Sequence, residues 1–106
     1  MNKDIKEYII CSAVYVNDLQ KHVHQPENIK IGYVVAGRRH HNCFSTMQLV
    51  SPDFKWKRFE NQQGFLTNTD RYVDRREAFA IARTARQILN VIDWNEEMIL
   101  MSEDLY

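Results

Sequence analysis

The chain has 106 residues, 44% of them hydrophobic and 26% charged, which describes a single globular domain over residues 1–106 with one modest core. Fourteen basic and fourteen acidic side chains cancel, so the field of the whole molecule draws in neither duplex DNA nor an acidic membrane, and any anion must be held by local geometry. Residues 1–8 are polar and no apolar run approaches the ~20 residues of a membrane span. With Cys11 and Cys43 set in apolar stretches as small hydrophobes, a reducing, cytoplasmic setting is expected.

Residues 8–16, YIICSAVYV, are β-branched, aromatic or small throughout, as suits a central strand buried on both faces. The polar stretch 17–28, with Pro26, reads as a long loop. Residues 29–36, IKIGYVVA, read as a second strand ended by Gly37, and two strands joined without a helix most simply pair antiparallel. In HNCFSTMQLV the period changes: Cys43, Phe44, Met47 and Val50 fall on one side of a short helix, stopped by Ser51 and Pro52. DFKWKRFE, residues 53–60, alternates aromatic and basic side chains as a loop or edge strand would. GFLT at 64–67 then turns through Asn68, Thr69 and Asp70 into Arg71, Tyr72 and Val73 as a small hairpin or irregular loop.

Asp74 and Glu77 have the spacing of a capping box, so the second helix starts at Arg75. Phe79, Ala82, Ala85 and Leu89 give it an apolar face, with Arg76, Arg83 and Arg86 toward water. Apolar residues between Ile92 and Met101 suggest a last strand before the polar SEDLY ending. The fold expected is α+β, a small antiparallel sheet with two helices packed against it.

Four features bear on chemistry. GRRHHN, residues 37–42, places Arg38, Arg39, His40 and His41 where a strand hands over to a helix; amides at a helix N-terminus favour an anion such as phosphate, and a solvated basic turn is the plain alternative. His22, His24, His40 and His41 lack neighbours at familiar zinc spacing, so neither metal nor cofactor is expected. Phe65, with Thr67 and Asn68 close by, has the makings of a stacking platform with polar readout, or of ordinary core. Arg71 and Arg75 flank Asp74 with planar donors suited to phosphate or carboxylate, or to pairing with Asp70, Asp74 or Glu77.

Together, IICSAVYV, GRRHHN, QGFLTNTDRYVDRREAFAIA and the terminal SEDLY resemble the Thoeris anti-defence sponge proteins of bacteriophages, which sequester cyclic ADP-ribose isomers. The sequence departs from that family at ARQI, residues 85–88, where the family carries a glycine before the glutamine. The resemblance implies a non-catalytic binder, cytoplasmic in the infected host cell, that starves the Thoeris effector of its activator. It further implies oligomers built from dimers and, in some members, a second pocket for cyclic oligonucleotides.

A cyclic ADP-ribose isomer needs an aromatic platform, acceptors for sugar hydroxyls and cations for its pyrophosphate. The residues of those types here are Phe65 for stacking, Arg39, His40 and Arg75 for pyrophosphate, Asp74 for ribose or capping, and Asn68 or Thr67 for polar readout, with Arg38, His41 and Arg71 beside them. Two other classes fit the same residues: a small nucleotide-acting enzyme using His40 or His41 as general base with Asp74 as partner, and a protein-interaction domain docking through SEDLY.

Overall fold

The computed structural model describes residues 6–53, 55–89 and 98–105. Its described strands form one antiparallel sheet of β1 (Ile9–Val16), β2 (Tyr33–Gly37), β3 (Gln63–Thr67) and β4 (Tyr72–Asp74), in the order β2-β1-β3-β4. Helix α1 (His40–Val50) follows β2 and α2 (Arg75–Thr84) follows β4. The α+β architecture, with two helices on a small antiparallel sheet, is the one expected.

β1 takes the interior place that its apolar sequence dictates. It pairs with β2 from Ser12↔Gly37 to Val16↔Tyr33, and with β3 from Ile9↔Thr67 to Val14↔Gln63 through a register shift between Ile9 and Cys11. Two apolar clusters join helices to sheet. Val14, Val16, Cys43 and Met47 pack under α1, and Ile9, Phe65, Val73, Ala78, Phe79, Ala82 and Leu100 pack under α2. The small side chains of Ala78 and Ala82, both fully buried, let α2 lie close to β3 and β4.

The long loop after β1 spans the sheet. Its Gln25 side chain accepts from the Val34 amide, Glu27 N donates to Asp70 O, and Asn28 bonds both backbone groups of Tyr72. One edge of β2 and the start of β4 are thereby tied to the same loop, which blunts exposed strand edges.

Four boundaries differ from the sequence reading. β2 begins at Tyr33 because Gly32, at φ +88°, turns the chain there and an added Cβ would stand 2.4 Å from Val16 O. Residues 56–62 are neither loop nor edge strand but a 3-10 helix. Helix α2 stops at Thr84, so Leu89 lies beyond it and is exposed. The cause is Gln87, whose side-chain amide accepts from Ile9 N and donates to Ile9 O, both at 2.8 Å, which turns the chain back toward β1 through Arg86 at φ +59°. The last-strand expectation lies partly outside the described residues, and the described part, residues 98–101, carries no strand.

Candidate functional site

At one end of β3, two helix N-termini meet. β2 ends at Gly37, and Arg39 caps α1 with extended backbone, its amide donating to Asn42 Oδ1 at 3.0 Å. His40 is then buried in the first turn, with its ring edge-on to Phe65, centroids 5.0 Å apart. A carbonyl can only accept, so the 2.8 Å contact between His40 Nε2 and Gly64 O makes Nε2 the protonated nitrogen. Nδ1 is left as an acceptor facing Arg75 Nη2 at 3.5 Å. Burial pushes His40 below its ordinary pKa, and the Arg75 charge adds to that, so the ring is a neutral strut between β3 and α2.

Arg75 is held from three sides. Its Nη2 donates to Gln63 Oε1 and its Nη1 to Leu100 O, each at 2.8 Å, and Nη1 also lies 3.2 Å from the Met101 sulfur. Leu100 N returns a bond to Arg75 O. The C-terminal segment is thereby strapped across the start of α2, with Leu100 and Ser102 buried. Glu103 on that strap places a carboxylate oxygen 3.8 Å from Arg39 Nη1.

The other expected residues gather elsewhere. At the far end of β3, about 13 Å along a strand of this length, Arg71 grips Glu7 with two bonds of 2.9 and 2.8 Å and reaches Glu77 at 3.0 Å. Thr67 and Thr69 donate to the same Glu7 carboxylate, which these hydrogen bonds, Arg71's foremost, hold down at about 2. Asn68 accepts from Tyr8 N and donates to Lys6 O. Thr67, Asn68 and Arg71 thus fasten residues 6–8 to the sheet.

The remaining residues divide between fold and surface. Asp74 caps α2, its Oδ1 accepting from Glu77 N at 2.8 Å. Arg38 and His41 are exposed beside the α1 N-terminus. Phe65 is fully buried on an interior strand, so the stacking platform expected of it offers no open face and the ring is core. The structure therefore joins Arg39, His40, Phe65 and Arg75, and separates them from Thr67, Asn68 and Arg71. Sequence reading missed Gln63 and Glu103, whose place depends on contacts 12 or more residues away; the acid in SEDLY was the one available signal.

Two clefts open away from this corner, each of about 290 Å³. One lies between α1 and the 3-10 helix against Tyr33, Val35, Met47 and Phe59, and the other lies under the long loop against Ile10, Pro26 and Leu66. Among the described residues no three His, Cys, Asp or Glu side chains gather as a metal site, and no helix is long and apolar enough to cross a membrane.

These features define a small α+β protein with a cationic corner built on paired helix starts. The family model described as phage T4 y16D protein matches residues 8–106, and the chain belongs to that family of bacteriophage proteins. No curated protein and no solved structure matches it.

Proposed function

We propose that this phage protein is a non-catalytic anti-defence binder that sequesters cyclic ADP-ribose-type signals and so blocks activation of the Thoeris effector. The observation that carries the reading is the convergence at one corner of the α1 and α2 N-termini, bridged by the contact between His40 and Arg75, with Arg39 alongside. Two helix starts bring their first turns and positive dipole ends to the same space, which favours a pyrophosphate. The phage family agrees with an agent aimed at host defence. Binding rather than catalysis is supported by His40, whose two nitrogens both face partners, and by Asp74, which bonds the helix amide.

A chain of 106 residues has little interior in which to enclose a dinucleotide-sized ligand, so the reading includes a pocket completed by a second copy. Cyclic oligonucleotides are the further ligand class this reading admits. Incubation with a cyclic ADP-ribose isomer, removal of free ligand and denaturation tests the proposal. The ligand should return intact and in stoichiometric amount. Recovery of a hydrolysed product would identify an enzyme, and an empty protein would remove the reading.

A further inference from the structure

We infer that Glu103 is the chain's own occupant of the cationic corner, a tethered carboxylate that an incoming phosphate must displace. The inference rests on the proposed phosphate-bearing ligand, but its geometry is independent of that ligand's identity. The strap carrying Glu103 is fixed on both sides. Before it, Leu100 is fully buried and exchanges two backbone-directed bonds with Arg75. After it, Asp104 O accepts from Leu89 N, and the Asp104 side chain accepts from Met101 N at 2.9 Å. Between these anchors the Glu103 side chain is itself 67% exposed and stands 3.8 Å from Arg39. Its charge is also felt at His40 and Arg75, where it opposes the effect of burial.

Anchoring the backbone gives this carboxylate a high effective concentration at the corner without a large ordering cost on each contact. Solvent exposure keeps the pair weak. A tethered but weak anion of single charge excludes other singly charged anions and yields to a ligand with two phosphate charges, which gains more from the same donors. Glu103 is thus an affinity-setting residue, and only its side chain has to move; the strap stays in place.

The test compares wild type, Glu103→Gln and Glu27→Gln by calorimetry against inorganic pyrophosphate and, separately, a cyclic ADP-ribose isomer. Glu27 is exposed on the long loop, so its variant makes the same change in net charge away from Arg39. Glu103→Gln should tighten both probes by about three- to fivefold, the upper part of the range of an exposed ion pair, with the gain shrinking as salt rises; Glu27→Gln should change neither beyond about twofold. If wild type retains the cyclic nucleotide and Glu103→Gln binds it no more tightly, the inference is wrong and the proposed function stands. If the variant tightens pyrophosphate while no protein retains the cyclic nucleotide, the corner is confirmed and the proposed function fails. Absence of binding to either probe by all three proteins overturns both.

Discussion

At the scale of single residues, Arg75 sits in a position that the helix macrodipole disfavours. A cation in a first helical turn faces the positive end of the helix, and burial further lowers its pKa. Its bonds to Gln63, Leu100 and the His40 ring offset that cost. Arg75→Ala should therefore lower folding stability by about 2 kcal/mol, the range of charge-assisted bonds, and a urea midpoint unchanged from wild type would show that the strap does not depend on it. Glu7 yields a pH prediction. Its folded pKa is held at about 2, below the ordinary 4.5, so its stabilisation is complete above 4.5 and is lost as pH falls toward 2. With the partly exposed Arg71 as partner, the contribution is about 1 kcal/mol. Denaturation of wild type and Glu7→Gln should differ by that amount at pH 6 and converge near pH 2; a constant gap would assign the effect to shape. His40, with its pKa lowered by burial, acts in the same direction, withdrawing stability as pH falls below 6.5.

At the scale of elements, legibility follows the range of the interaction that sets each boundary. The start of α2 was readable because Asp74 and Glu77 lie three residues apart and the cap closes within them. The turn residues between β3 and β4 left a small hairpin and an irregular loop both open, and the pairing of the two strands decides for the hairpin. The end of α2 was not readable, because it is set by Gln87 bonding Ile9 across 78 positions. Residues 53–60 alternate like a loop or edge strand, but residues 56–62 fold as a 3-10 helix, since no neighbouring strand claims their backbone in the described sheet. Phe65 carried two readings, and its place on an interior strand decides for core. Arg86 occupies φ +59°, the left-handed region where a glycine fits without strain. Arg86→Gly should raise stability by about 0.5–1 kcal/mol, less whatever the unfolded chain gains in freedom. Thermal melts measure it, and a lower Tm would mean that contacts of the Arg86 side chain outweigh the backbone term.

At the scale of the whole molecule, apolar surface is left over. Leu49 and Val50 at the end of α1 are 87% and 82% exposed, although Val50 was expected on the buried side with Cys43 and Met47. Val50 itself lines the cleft that holds Tyr33, Val35 and Phe59, with Asp53, Lys55 and Arg58 also on its walls. Scattered exposed leucines are ordinary, whereas exposed apolar side chains beside a groove with aromatic and basic walls have the composition of an interface. A two-fold dimer is the commonest closed arrangement that covers such a patch, and it would supply the second copy that the proposed pocket requires. Light scattering at micromolar concentration should give a multiple of 12.7 kDa, and Leu49→Glu combined with Val50→Glu should shift the mass toward the monomer while leaving the circular dichroism spectrum unchanged. A wild-type mass near 12.7 kDa would remove both the oligomer and the shared pocket. An oligomer that survives the double substitution would place the contact elsewhere on the surface.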